Sequence, residues 1–392
     1  MMRLEKIGER MFSCNGCGAC YGRGPQNPFR AEDFAPIGFC PMINHNKFQA
    51  YSARGLSFVA RGVHYEGLPI TDDLVKIAYT CTGCLTCEEV CKPIPTTDIV
   101  RGLREEIFGK GMQPDGTKRI DEKIADNGNR FGFENALRDK WAQEIALPGK
   151  GDDVYFTGCS TALSPQLTRI AVVTSKILKQ AGLNVAYLGG NEKCCGMPAG
   201  WNGNIDLQIK MAKNNVEAMK SAGAKRIIFT CPECFATWSK DYPELLGKLP
   251  FETIHISQLL VDLIERGKIE MKKSIEKTVT FQDPCHLGRR MKIYDEPREV
   301  LKNIPGITLK EMNRSQRWSY CCGFGSMAVY HAYPQYALRI AAERLQQIND
   351  KADNVVTTCP QCYLILNAAA KSKSVNCKVH DLSILVAESM QL

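Results

Sequence analysis

The sequence predicts an α/β protein: a helical N-terminal domain followed by two repeated parallel α/β domains related by pseudo-twofold symmetry. Three observations predict it. A five-cysteine signature occurs twice at matched spacing, each copy alternates short apolar strands with helices, and the segment ahead of them reads as helical and carries its cysteines as two triplets, each followed by one more cysteine. Repetition on this scale decides the architecture before any single element does. Strand–helix alternation then calls for parallel sheets with crossover helices.

Taken in order, residues 3–12 read as a short helix leading into Cys14-Asn-Gly-Cys17-Gly-Ala-Cys20, and 19 residues further on comes Cys40-Pro41. A second run is Cys81-Thr-Gly-Cys84-Leu-Thr-Cys87-Glu-Glu-Val-Cys91, and the insert between the runs looks helical. Thr71 or Asp72 is a suitable N-cap for the helix that enters Cys81, since a side-chain oxygen there satisfies a free amide of the first turn. Beyond Pro93, Thr97-Asp98 can cap a helix in which Ile99, Leu103 and Ile107 recur at helical spacing. Glycines at 109, 111 and 116 with Pro114 break it, and a second helix follows at 134–144.

The repeats begin at 152. The first holds Cys159, Cys194-Cys195-Gly196 and Cys231-Pro232-Glu233-Cys234; the second holds Cys285, Cys321-Cys322-Gly323 and Cys359-Pro360-Gln361-Cys362. In the first, 34 residues separate Cys159 from Cys194 and Gly196 from Cys231; in the second both gaps are 35. Strands are expected at 154–156 and 278–281, each running toward the first cysteine, with helices at 165–181 and 297–303. A strand at 184–188 precedes the first Cys-Cys-Gly. Helices at 205–222 and 336–349 and strands at 226–230 and 354–358 complete the pattern, and each copy ends in a matched tail, Ile254-His255-Ile256 and Val379-His380-Asp381. The cysteines then sit where strands end, the usual place for sites in open α/β sheets. The expected domains are 1–95, 96–151 as a connector, 152–270 and 271–392, with 268–277 as a charged link.

Composition narrows the chemistry. Of 19 cysteines in 392 residues, only Cys377 falls outside a motif of metal-ligand spacing, which argues for reduced thiolates rather than a secreted disulfide scaffold. The N-terminus has no apolar core of signal-peptide length, and no window approaches the roughly 20 apolar residues that span a bilayer. A cytoplasmic protein is expected, with any membrane contact made through a partner. The formal charge of +8 counts the cysteines as neutral and is spread without a dominant basic block, so it supports no nucleic-acid partner.

A structural zinc site closes with four ligands. Five thiolates per copy are too many, and neighbouring side chains of a Cys-Cys pair diverge too far for one tetrahedral ion. The pair suits a polynuclear centre, with the following glycine allowing a tight turn. Zinc with a spare cysteine, or disulfides, are the plainer readings, and neither explains the repetition. In the N-terminal region, Cys-x-x-Cys-x-x-Cys with a distant cysteine is the bacterial ferredoxin pattern, in which the fourth cysteine serves the other cluster. By that logic Cys14, Cys17 and Cys20 join Cys91 around one cubane four-iron cluster, and Cys81, Cys84 and Cys87 join Cys40 around another.

The doubled signature over 152–392 resembles the cysteine-rich CCG domains of heterodisulfide reductases. The N-terminal region is similar to the helical two-cluster ferredoxin domains fused to them, and the fusion resembles the D-type subunit of the membrane-associated enzymes. This resemblance implies two noncubane four-iron clusters, one on Cys159, Cys194, Cys195, Cys231 and Cys234 and one on Cys285, Cys321, Cys322, Cys359 and Cys362. It also implies reduction of the mixed disulfide of coenzyme M and coenzyme B, or a similar anionic small-molecule disulfide. The electrons would come from a redox partner subunit, a membrane cytochrome b or a soluble donor. An alternative is an electron-transfer protein without disulfide chemistry, similar to the C-type subunit of anaerobic glycerol-3-phosphate dehydrogenase, in which one five-cysteine motif is usually incomplete. A structural iron–sulfur scaffold or redox sensor is a third.

Other residues are candidates by position. His286, beside Cys285, is in the pKa range to protonate a departing thiolate, with a plain hydrogen-bonding role as its counterpart. Arg289, Arg290 and Lys292 follow within seven residues of Cys285, and their charges suit an anionic substrate, an acidic partner or the clusters themselves. Trp201 and Trp318 read as walls that keep water from the sites, and Cys377 as an ordinary buried thiol.

Overall fold

A computed structural model describes residues 3–21, 40–348, 352–372 and 376–392. Two four-stranded parallel sheets carry the C-terminal part of the chain. The first contains β1 (Asp153–Phe156), β2 (Val185–Ala186), β3 (Arg226–Phe229) and β4 (Glu252–His255) in the order β2-β1-β3-β4. The second contains β5 (Lys277–Phe281), β6 (Ile307–Leu309), β7 (Asn354–Thr357) and β8 (Lys378–Asp381) in the order β6-β5-β7-β8, so the duplication extends to topology. Register is equivalent: Phe156 lies opposite Phe229 on β1 and β3, and Phe281 opposite Val356 on β5 and β7. Tyr155, Phe156, Ile227, Ile228, Val355 and Val356 are fully buried, as expected of strands covered on both faces.

The two sheets share a core. The C-terminal helix of the second copy, Leu382–Met390, packs on Thr168–Gln180 of the first, while Ile256–Glu265 of the first packs on Asp295–Lys302 of the second. One apolar cluster therefore runs from Ile177 and Leu260 to Leu301, Leu385 and Val386. The reciprocal exchange is the pseudo-twofold relation in packing terms. It binds the copies through apolar burial, the largest favourable term available to a fold of this kind.

Ahead of the sheets lie the helices Ala53–Glu66, Asp72–Thr80, Thr96–Gly109 and Asp115–Asn127. Thr71 caps the second of these, its hydroxyl accepting from the Leu74 amide at 3.3 Å, as expected. The expected cap at Thr97-Asp98 is replaced. Helix Thr96–Gly109 starts after Pro95 with no side-chain cap of its own, and Glu88 accepts from both the amide and the hydroxyl of Thr97 at 2.6 Å. The expected helix at 134–144 is a 3-10 segment, Asn135–Ala142. Helix Asp115–Asn127 is unforeseen because Gly116 reads as a breaker; that glycine packs against the His331 carbonyl, where a Cβ would stand 1.8 Å away. Among the described residues no helix is long and apolar enough to cross a membrane.

Candidate functional site

In each sheet the order places a topological switch point beside the strand that starts its copy, and the cysteine loops open from the carboxyl ends of β1, β3, β5 and β7. The loops are fixed from behind by buried Arg–carboxylate pairs. In the first copy Glu192 accepts from Arg138 at 2.6 Å and from the amides of Thr157 and Gly158 at 3.0 and 2.9 Å, just before Cys159. Burial pushes its carboxyl up to about 7 against the pull of Arg138. In the second copy Arg298 forks onto Asp283 at 2.7 and 3.0 Å, just before Cys285. Both Cys-Cys-Gly glycines are required by the backbone: Gly196 and Gly323 have φ of +76° and +97°. A Cβ on Gly323 would stand 2.3 Å from the Ala337 carbonyl oxygen.

The thiols of the first copy form one continuous run: Cys159 contacts Cys194, Cys194 contacts Cys195, Cys195 contacts Cys234, and Cys234 contacts Cys231. Hydrogen bonds from Cys194 and Cys234 draw the Cys195 thiol down to about 6. In the second copy Cys321, Cys322, Cys362 and Cys359 form the same run. Cys285 stands apart, raised by burial, with Arg289, Cys322 and Cys84 as its nearest charge partners.

In the N-terminal region Cys14, Cys17, Cys20 and Cys91 line a cavity of about 180 Å³ with Arg54 at its edge, and Cys17 is exposed. Cys40 feels Cys84 and Cys81, whereas Cys20 feels Cys14, Cys91 and Cys17. The structure thus crosses the fourth cysteines between the two triplets. Arg104, fully buried, holds the second triplet by donating to the carbonyls of Ala78, Cys81 and Trp201, the last two at 2.7 and 2.9 Å.

These sites accommodate iron–sulfur clusters. All donors are thiols, four of them line one open volume, and those of the two repeats include runs of five and of four. Among the described residues no three His, Cys, Asp or Glu side chains are gathered for a single metal ion. Ligands of a four-iron cluster bind different irons and stand farther apart than the ligands of one tetrahedral ion. Burial raises most of these thiols, Cys20 and Cys81 to about 11, so ionising them waits on a bound cation.

The two five-cysteine sites face each other. Gln361, inside the second copy's Cys-Pro-Gln-Cys, donates to Ser160 Oγ at 2.6 Å, and Ser160 follows Cys159 of the first copy. Cys359 feels Cys231 across the seam, and Glu233 lies between Cys231 and Cys322, its carboxyl pushed well up by burial and by those two thiolates. The second copy also abuts the N-terminal region: Cys84 packs beside Cys321, and Arg289 donates from Nε to the Cys84 carbonyl and from Nη1 to that of Ser319 at 2.6 Å.

The expected anionic-substrate residues have partners within the chain. Arg289 is engaged with three backbone carbonyls, Arg290 is paired with Asp241 at 2.6 Å, and Lys292 is paired with Glu89. A π-helical turn, His286–Arg290, carries them from Cys285 into the contact between domains. His286 is buried and shares a hydrogen bond with Ser326 Oγ at 3.1 Å, edge-on to Trp201. Burial and then the Arg290 charge push it down to about 3, which leaves the imidazole neutral and poorly suited to act as an acid. Trp201 is the expected wall, packed where a Cβ on Gly83 would meet its ring at 2.3 Å; Trp318 is half-buried, and Cys377 is half-buried at the edge of the second copy's core. Sequence reasoning missed Arg130, which lies in the connector and donates to Ser160 Oγ at 3.1 Å. Only its isolation between two helical segments could have drawn attention to it.

Fold and site together define an iron–sulfur oxidoreductase component: a family model described as a 4Fe-4S dicluster domain matches residues 9–93, and one described as a cysteine-rich domain, CCG, matches 154–238 and 279–367. The D-type subunit of dihydromethanophenazine:CoB–CoM heterodisulfide reductase from Methanosarcina acetivorans is 34% identical over 97% of this chain and 94% of its own length. The Methanosarcina barkeri protein of that name is 37% identical over the same shares. The chain belongs to this family of D-type heterodisulfide reductase subunits. A more distant relative, the B-type subunit of the CoM/CoB fumarate reductase of Methanothermobacter marburgensis, is 29% identical over 85% of this chain and 66% of its own. Among solved structures, a hypothetical protein from Helicobacter pylori shares the fold, with a TM-score of 0.56 at 11% identity over 86% of this chain and 68% of its own.

Proposed function

We propose that the chain reduces a small-molecule disulfide at the seam between its two five-cysteine loops, the substrate being the mixed disulfide of coenzyme M and coenzyme B or an anionic disulfide like it. The observation that carries this reading is the bond from Gln361 to Ser160, which joins the loop of one complete motif to the loop of the other. In the reaction one S–S bond breaks and two S–H bonds form. Two electrons come from a redox partner, a membrane cytochrome b or a soluble electron-donating protein, and two protons come from solvent.

Cys14, Cys17, Cys20 and Cys91, and Cys81, Cys84, Cys87 and Cys40, would hold two cubane clusters. The five cysteines of each copy would hold a noncubane one. Bound there, such clusters supply one-electron chemistry and iron sites open to sulfur. The chain's own residues determine where that chemistry occurs. Exposed Cys17 and the cavity beside it make the N-terminal triplet the side open to a partner. Arg289 and Arg104 hold the Cys81–Cys84 loop against the second copy and against Trp201. Glu192 with Arg138, and Asp283 with Arg298, keep the two first-cysteine loops from shifting apart. Trp201 and the buried thiols exclude water from the seam, which strengthens every electrostatic interaction inside it.

The test is steady-state turnover. Protein reconstituted anaerobically and supplied with a reduced viologen should consume the coenzyme M–coenzyme B disulfide and release two thiols per two electrons. Rapid oxidation of the N-terminal clusters by an electron acceptor, with no thiol released from any disulfide, would replace this reading with that of an electron-transfer protein.

A further inference from the structure

Arg130 is a buried cation at the seam that plays no part in the reaction as written. It is only 6% exposed, yet among the described residues it makes no ion pair; its Nε donates to Ser160 Oγ at 3.1 Å. Its guanidinium lies on the Phe131 ring at 4.3 Å and reaches toward Phe324 at 5.9 Å, the residue after the second Cys-Cys-Gly. Among the described residues its two terminal nitrogens have no hydrogen-bond partner. Other buried arginines have ion-pair or carbonyl partners, with single nitrogens of Arg101, Arg138, Arg289 and Arg290 also left unpartnered. Arg138 has Glu192, Arg101 has Asp241, Arg298 has Asp283 and Glu311, and Arg104 and Arg344 are satisfied by carbonyls and amides.

The position is as specific as the lack of an ion pair. Ser160 receives Arg130 from the connector and Gln361 from the second copy, so the guanidinium sits where the two five-cysteine loops meet. Its charge is felt by Cys159 and Glu233. Two buried atoms there have no partner, Oε2 of Glu233 and Oε1 of Gln361. Buried polar groups are nearly always satisfied, and a concentration of unsatisfied ones at one place marks where something else is held. A guanidinium with two free parallel N–H groups fits a planar or tetrahedral oxyanion bidentately.

We propose that Arg130 anchors an oxyanion carried by the disulfide, a sulfonate or a carboxylate, at the junction of the two five-cysteine loops. The inference rests on the seam being the substrate site, and it names the residue that selects a charged disulfide over a neutral one. Arg130 would be a specificity-determining residue, supplied by the connector rather than by either repeat.

The experiment uses reconstituted full-length protein and three probes: the symmetrical disulfides of mercaptoethanesulfonate, mercaptopropionate and mercaptoethanol. They share a short scaffold and differ in the charged group. The wild type should prefer the two anionic disulfides over the neutral one in kcat/KM. Arg130→Gln should reduce that preference by about 10- to 100-fold, the range expected when a charge-assisted pair is lost from a buried site. Arg130→Lys should recover part of it, with unchanged iron content confirming that the fold and sites are intact. Calorimetric binding of the sulfonate disulfide in the absence of reductant gives an independent readout. If the wild type binds this probe in an Arg130-dependent way but reduces no disulfide, the anchor stands and the proposed reaction fails. If reduction is intact and Arg130→Gln slows all three probes equally, or shifts only the midpoint potentials of the clusters, the anchor is refuted.

Discussion

Asp241→Asn is the perturbation whose size the structure specifies best. Asp241 ends the π-helical turn Thr237–Asp241 and is 1% exposed. It accepts from Arg101 of the connector at 3.1 Å and from Arg290 of the second copy at 2.6 Å, so one carboxylate ties three parts of the chain together. The two guanidinium groups hold its carboxyl down to about 2 from 3.8 against the opposing effect of burial. That depression contributes about 2 kcal/mol of stability, present above the unfolded-state pKa and lost as pH falls through the folded value. Asparagine keeps the shape but leaves two buried cations facing each other, and breaking buried pairs of this kind costs about 3–5 kcal/mol. Anaerobic urea unfolding followed by the fluorescence of buried Trp201 and Trp238 should show that loss. Adding Arg290→Met to the variant should recover part of it, because one unpaired charge is removed. A loss under about 1 kcal/mol, with no recovery in the double variant, would refute the claim that this carboxylate holds the domains together.

Other outcomes follow from the same geometry. Cys195→Ala or Cys322→Ala should abolish disulfide reduction while the N-terminal clusters still reduce normally; full turnover in both variants would remove the five-cysteine sites from catalysis. Gly323→Ala should lower stability by about 3 kcal/mol or more, since positive φ costs about 1–2 kcal/mol and the new Cβ meets the Ala337 carbonyl. Gly109→Ala, with nothing within 4 Å, should be neutral or mildly stabilising by comparison. Arg289→Met should slow electron delivery from the N-terminal region and leave the KM for the disulfide within about twofold, because its Nε and Nη1 are used on Cys84, Arg317 and Ser319; a raised KM with normal delivery would return it to the substrate.

Much of this was legible in the sequence because it is periodic or repeated. The strands, their order of appearance and the two loops with vicinal cysteines recur at matched spacing, and the burial of β1, β3, β5 and β7 follows from that. What sequence could not supply were pairings between distant segments. Arg289, Arg290 and Lys292 look like substrate cations because they follow Cys285, but the turn at His286–Arg290 delivers them to carbonyls and carboxylates of other domains. Arg130 was invisible for the opposite reason: its neighbours in sequence carry no motif, and only folding brings it to Ser160. Thr97 and Glu88 make the same point on a smaller scale, with a cap borrowed from the preceding helix. β6, an edge strand of three half-exposed or exposed residues, offers no apolar run to detect.

The central claim is that each five-cysteine loop set, like each triplet with its crossed cysteine, holds a four-iron centre. Iron analysis with Mössbauer spectroscopy on protein purified without oxygen tests it most directly. Four centres of four irons predict about sixteen irons per chain, with the contribution from the repeats distinct from that of the N-terminal pair. Saturation near eight irons, with zinc bound in stoichiometric amount, would contradict it.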